Sequence, residues 1–450
     1  MTQSFRNTLE KNWKIFLPAS LLVGFLLRMT FVEDMEYKED EEYNFIQTQL
    51  IGNSKPWPWF GISSGVYLVN PGMSIWVFTI LAKVFRIHTP TGLAHAVQIF
   101  ALLGMSLIIP FALKWVSDAK ERKIWLWAFA LAMVNPFLVL YQRKLWPEPF
   151  LPFFTLLTLM GWWKRSEKKW SFTWGLVGAF IGQVHMSGFF FSAALFLWTA
   201  FFDPYRRSGG QRQRTNWPAW FLGSVVGTLP LIPWIIYVLK NPVQEKMSAG
   251  WNEIVQLKYW AFWLTNPTGL HLGNPLGLLR GPSNWDQISD FVRYPLVGGH
   301  ATYLVGVAHL IALFAVLWIW GSGLRGLFSS VVGWTGLNKA RSKKTASVHD
   351  QVIGKDSNTA FLQNSAFFGC GILLTLTGVV IRRYYMAVTF PLEFIFLIRM
   401  VDPTTQLGRR ALTALWIAQL AISAGFVGYV HVNQGSTQGD YGEAYHLKQK

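Results

Sequence analysis

Apolar residues fall in long runs along this chain, and polar or charged residues are confined to the stretches between them. The first run, about Ile15 to Val32, follows Arg6, Lys11 and Lys14 and meets Glu33-Asp34 without a small-x-small cleavage pattern. It predicts an uncleaved signal anchor with its N-terminal side in the cytoplasm. Further runs near 94–113, 124–141, 149–163, 171–187, 188–202, 217–238, 301–320, 361–381, 384–400 and 411–431 are long enough to span a bilayer, or nearly so. The run 70–85 decides orientation. If it spans, Lys120/Arg122/Lys123 and Lys164/Arg165/Lys168/Lys169 fall outside, against the bias that keeps basic loops in the cytoplasm. If it lies in the interface or re-enters, these clusters reach the cytoplasmic side together with Arg206/Arg207/Arg212/Arg214, Arg325/Lys339/Arg341/Lys343/Lys344 and Arg409/Arg410. The second arrangement predicts an all-α polytopic membrane protein with about eleven spans and interfacial or re-entrant helices in its first outer loop.

Composition agrees with that pattern. Of 450 residues 52% are hydrophobic and 14% charged, with a mean hydropathy of +0.27, whereas soluble domains carry roughly 25% charged residues. A soluble enzyme is excluded, and the net charge of +17 marks loop orientation instead of a nucleic-acid partner. A single cysteine, Cys370, excludes an intramolecular disulfide and a Cys-based zinc cluster. Residues 1–431 form one transmembrane domain, with outer loops at 33–93 and 239–300, a flexible cytoplasmic loop at 321–360 and a polar tail at 432–450. The loop 321–360 has no GxxxxGK[ST] or GxGxxG, and the chain has no HExxH or EF-hand pattern. No cofactor is expected, and no motif supports a divalent cation.

The outer segment Glu33 to Tyr43 holds seven acids and one lysine in an otherwise acid-poor chain. It is either a solvated collar or the source of a catalytic carboxylate. The amphipathic stretch after Asp40 would hold that acid at a helix start, where the dipole favours an anion. A second outer acid, Glu148, lies between Pro147 and Pro149, where it is either a helix-start charge or half of a two-acid site. Basic groups also gather on this disfavoured face: Lys83 and Arg86, Arg143 and Lys144, then Arg382 and Arg383 beside Tyr384 and Tyr385. They snorkel or, taken together, bind a phosphate head group. His185 lies at an outer turn between two spans. The loop 239–300, with Trp251, Trp260, Trp263, His271, Arg280, Trp285, Arg293 and His300, reads as an interfacial aromatic belt or a lid.

This order of features resembles the membrane glycosyltransferases of the C superfamily, in particular the protein mannosyltransferase and aminoarabinose transferase-like group. The resemblance rests on Arg28 ending the first span, Asp40-Glu41 before an amphipathic stretch, and Asn70-Pro71-Gly72 leading to Lys83-Val84-Phe85-Arg86. It continues through Pro136, Tyr141-Gln142-Arg143 before Glu148, Gly175 to Gly182 reaching His185, and Arg383-Tyr384 with Pro391. It covers about residues 15–200 and 380–400. It implies inverting transfer of a sugar from a polyprenyl-phosphate donor to a protein, lipid or glycan acceptor at the outer face of the cytoplasmic membrane. Asp40 is then the general base, Glu41 its neighbour in an acid run (Glu39 to Glu42) whose register stays open, and Glu148 the second acid. Arg86, Arg143, His185, Arg382, Arg383 and Tyr384 hold the lipid phosphate, His185 standing where many relatives have Lys. A polyprenyl-phosphate is already activated, which fits the lack of a nucleotide motif. The main rival reading is a transporter or flippase of a lipid-linked or anionic solute, and a second is a non-catalytic assembly factor or a sugar-chain polymerase, which would share the large outer loop.

Overall fold

The computed structural model describes residues 3–64, 68–205, 214–241, 257–270, 285–334, 357–377, 381–436 and 441–449. They are overwhelmingly helical, and the strands are three two-stranded antiparallel ribbons. In chain order the first helices are α1 (Gln3–Met29), α2 (Glu39–Leu50), α3 (Met73–Phe85), α4 (Pro90–Ser106), α5 (Ile108–Trp115), α6 (Ala119–Val134) and α7 (Pro136–Gln142). They are followed by α8 (Leu151–Trp163), α9 (Lys168–Val184), α10 (Ser187–Phe202), α11 (Trp217–Thr228) and α12 (Ile232–Lys240).

Among the described residues five helical stretches are long and apolar enough to cross a membrane: Pro90–Trp115, Trp217–Lys240, Leu304–Arg325, Asn358–Leu376 and Gln406–Asn433. A sixth follows if α6 and α7, bent by 59° at Asn135, count as one. Of the other apolar runs, the first lies largely in the 27-residue α1, and the rest form shorter helices, such as the 13 residues of α8 and the 16 of α10. α3 also has 13 residues, about 20 Å of helix against a hydrocarbon core of about 30 Å, too short to cross upright.

α6 is the hub. Every residue from Ile124 to Val134 is buried, so this helix is surrounded by protein and shows no amphipathic stripe. Its bend has a local cause. Pro136 cannot continue the hydrogen-bond ladder of α6, but it suits the first turn of α7. There the Asn135 side chain caps the new helix by accepting from the Phe137 and Leu138 amides at 3.1 and 3.3 Å. Arg28, buried at the end of α1, staples three helices: its guanidinium donates to Gln142 Oε1 (2.5 Å) and to the carbonyls of Gly24 and Met133 (2.8 Å each). The bent α7 thereby delivers residues 142–148 to the same end of the bundle as the start of α2. Lipid-facing side chains such as Phe221 and Phe314 stay exposed.

Candidate functional site

α2 starts with four consecutive acids, and its first turn decides what each can do. Glu41 turns inward. Its Oε2 accepts from the Lys38 amide (3.1 Å), capping the helix, and its side chain is buried. Asp40, 100° further round the helix, stays exposed. Asn44, one turn on, donates to the Leu145 carbonyl (2.8 Å) and so ties α2 to the loop carrying the second acid. Burial pushes Glu41 up to about 7, helped by Glu36 and opposed by Lys144. Asp40 is also raised, by burial and then by Glu39.

Lys144 is the cation of this cluster. It is fully buried, paired with the equally buried Glu36, and its ammonium lies 4.1 Å from the centroid of the Trp146 ring. Glu36 also meets Lys38 at 2.5 Å. Adjacent Arg143 points elsewhere, donating to the carbonyls of Arg28 (2.9 Å), Thr30 (2.7 Å) and Phe31 (2.7 Å) and capping the C-terminal end of α1. It also meets the Tyr441 hydroxyl, so its donors are spent within the protein.

Glu148 opens a short 3₁₀ turn ahead of α8 and is 5% exposed. Burial pushes it up to about 8, opposed by its own amide and Lys144 and reinforced by Asp40 and Glu41. The His185 ring stands at the turn between α9 and α10 with Nε2 3.5 Å from Glu148 Oε1. Its Nδ1 takes the Ser187 amide (3.3 Å) and meets the Ser187 hydroxyl (2.7 Å), so the ring proton of the neutral form belongs on Nε2, facing Glu148. Burial pushes His185 down to about 4. At neutral pH the pair is a carboxylic acid beside a neutral imidazole.

Tyr384 and Tyr385 wall this pair. The Tyr384 ring lies 5.4 Å from Trp146, 6.2 Å from Tyr141 and 6.2 Å from His185, and Tyr385 lies 5.4 Å from His185. Arg382 beside them is exposed. Arg383 is buried between the Phe137 and Phe262 rings and donates to Asn266 Oδ1 (2.6 Å) and the Thr265 hydroxyl (3.2 Å). Beneath Tyr384 a cavity of about 30 Å³ is lined by Asn135, Gln142, Glu148, Asn266, Arg383 and Glu393, room for about two water molecules. Two buried atoms of this lining, Glu148 Oε2 and Arg383 Nε, have no hydrogen-bond partner.

The structure therefore joins Asp40, Glu41, Glu148, His185, Arg382 and Tyr384 at one end of the bundle. Arg86 stands apart. It is exposed at the end of α3, where the neighbouring Ile87 carbonyl accepts from Gln49 (3.2 Å), nine residues or about 14 Å along α2 from Asp40. Sequence reasoning had no role for Glu36 or Glu393, and it put Arg143 on the lipid phosphate where the structure turns Arg143 to backbone carbonyls and makes Lys144 the cation of the acid cluster. Of the long outer loop, Trp263 is fully buried, packed on Phe367 and Phe396, so it is core and not belt. Trp251, His271 and Arg280 lie outside the described residues, as do Arg206, Arg207, Arg212, Lys339, Arg341, Lys343 and Lys344.

No family model matches the chain. No curated protein matches it in sequence either. Among solved structures it is similar to the Archaeoglobus fulgidus oligosaccharyltransferase in the apo form, at 14% identity and a TM-score of 0.40. It is also similar to the archaeal oligosaccharyltransferase AglB of Archaeoglobus fulgidus in complex with an inhibitory peptide and a dolichol-phosphate, at 13% identity and a TM-score of 0.39. Each comparison covers 96% of this chain and 56% of the other, so the chain spans a little over half the length of the structures it matches. Among the described residues no group of three or more His, Cys, Asp or Glu side chains is placed to hold a metal ion.

Proposed function

We propose that this protein is a membrane glycosyltransferase that moves a sugar from a polyprenyl-phosphate donor to an acceptor hydroxyl, with inversion, at the outer end of the bundle. The observation that carries the reading is the division of labour between two neighbouring acids. Glu41 is buried and caps its own helix, while Asp40 is exposed beside a buried Lys144–Glu36 pair and a Glu148–His185 pair. A general base must reach an incoming hydroxyl, and Asp40 can. It takes the acceptor proton, the acceptor oxygen bonds to the anomeric carbon, and the bond from that carbon to the phosphate oxygen breaks with its electron pair on the phosphate. Arg382 is the exposed cation placed to meet that charge, with Tyr384 and Tyr385 as hydroxyl donors. Protonated Glu148 and neutral His185 contribute hydrogen bonds without adding charge.

In this reading the N-terminal side is cytoplasmic and the shorter helices complete about eleven crossings. A transporter is disfavoured because these charged groups gather at one end, whereas alternating access uses groups near the midplane.

The test is a purified sample in detergent with native lipids, offered a panel of polyprenyl-phosphate sugars and acceptor extract. Asp40→Asn is expected to lower turnover at least about 100-fold and to leave donor binding in place. Wild-type protein that consumes no donor would move the assignment to transport.

A further inference from the structure

The residues Tyr441 to Lys448 fold back over the acidic segment that precedes α2. The Tyr37 amide donates to the Glu443 carbonyl (3.1 Å) and the Tyr445 amide to the Met35 carbonyl (2.9 Å), so Glu36 is gripped through the backbone on both sides and pairs with Ala444 as an isolated bridge. Tyr441 is fully buried against Phe426, and its hydroxyl donates to the Asp34 carbonyl. The Asp34 carboxylate meets His431 Nδ1 (2.8 Å) on one oxygen and His446 Nδ1 (3.3 Å) on the other. Lys448 lies 4.0 Å from Glu42.

Nothing in a solvated tail needs such attachment. The side chain it fixes is Glu36, which holds Lys144, and Lys144 is the cation that lowers the proton affinity of Asp40, Glu41 and Glu148 alike. We propose that Tyr441–Lys448 is a positioning strap: by clamping the backbone at Met35 and Tyr37 it seats Glu36 under Lys144 and so sets the charge of the acidic site. The kinetic part of this inference rests on the transferase reading; the structural part does not.

The test compares Tyr445→Pro with Tyr445→Ala. Both lose the ring, and only proline also loses the N–H that bonds the Met35 carbonyl. Tyr445 opens a 3₁₀ turn, a position where proline is tolerated. Lys144 is read by amine-reactive labelling and mass spectrometry of the intact protein in detergent. The proline variant is expected to label at Lys144 about tenfold faster than the alanine variant, and to lower kcat with little change in KM for donor. Equal labelling in the two variants overturns the strap. Should Tyr445→Pro fail to fold by size exclusion, Tyr441→Phe, which keeps the ring and loses the hydroxyl's bonds to the Asp34 carbonyl and to Arg143, must raise Lys144 labelling over wild type, and its failure to do so overturns the strap equally. Wild-type protein without turnover on any donor, combined with the expected labelling, removes the transferase reading and keeps the strap.

Discussion

Arg143 and Lys144 are neighbours of the same charge with opposite fates, and the difference is one of direction. Arg143 ends the bent α7 where α1 also ends, and its planar fork fits several convergent carbonyls; Lys144, one residue on, turns to Glu36. A sequence shows two adjacent cations and no directions, so the resemblance alone puts Arg143 on the lipid phosphate and leaves Lys144 without a role of its own. Arg143→Met removes the donor shared by the carbonyls of Arg28, Thr30 and Phe31, the first of them buried, so it is expected to cost about 2 kcal/mol, seen as a lower melting temperature in detergent. Lys144→Met leaves the buried Glu36 carboxylate with only the half-exposed Lys38 as a partner, whereas the double variant with Glu36→Met removes both buried charges. The double variant should therefore be more stable than the single one, and a double variant that is less stable would show that the pair does not carry the charge balance. Glu148 makes a pH prediction. Its native form keeps its proton to about 8 against an ordinary 4.5, so between those values the unfolded chain binds fewer protons and wild-type stability falls as pH rises. Glu148→Gln lacks that loss. Its advantage over wild type should grow across the window by at most about 1.4 kcal/mol per pH unit and level off above about 8, read by thermal melts from pH 5 to 9.

At the scale of elements, what was legible were the apolar runs and the helix start at the acid run, whereas the stretch 124–141, read as one run, breaks at Pro136 into α6 and α7. What was not legible was which side each helix turns inward. Asp40 and Glu41 cannot be ranked by pattern alone, because the ranking depends on where Asn44 fastens α2 to Leu145, a contact 101 residues apart. The run 70–85 was legible as an oddity in the charge pattern, and it forms a 13-residue helix, the same length as α8. α9 and α11 illustrate a pattern easily overlooked. A side chain at Gly175 would strike the Trp220 carbonyl, and one at Gly223 the Phe172 carbonyl, so the two backbones touch because small residues let them. Gly175→Val should separate these helices and lower the melting temperature, while Phe221→Ala, on the lipid-facing side of α11 at 65% exposure, should leave it nearly unchanged.

Across the whole molecule the charged groups sort to two ends of α6. At its start Glu121 meets Arg399 (2.6 Å) and Lys120 meets Asp402 (3.1 Å), and the Arg165–Asp203 pair (2.8 Å) caps α8 and α10. Beyond its other end lie Asp40, Glu41, Glu148 and the strap. α6 and α7 together would measure about 34 Å if straight, close to a hydrocarbon core of about 30 Å, and the topology proposed above sets the two ends at opposite faces of a bilayer. The strap itself was invisible in sequence: the tail read as polar, and its partner segment lies some four hundred residues earlier, beyond any local pattern. Which face carries the acids is decided by labelling. In a Cys370→Ala background, Glu39→Cys and Ser166→Cys place an exposed thiol at each end. A membrane-impermeant maleimide should label Glu39→Cys in intact cells and Ser166→Cys only after permeabilisation. The reverse result would set the acidic site in the cytoplasm, where nucleotide sugars are at hand, and a lipid-phosphate donor would lose its reason.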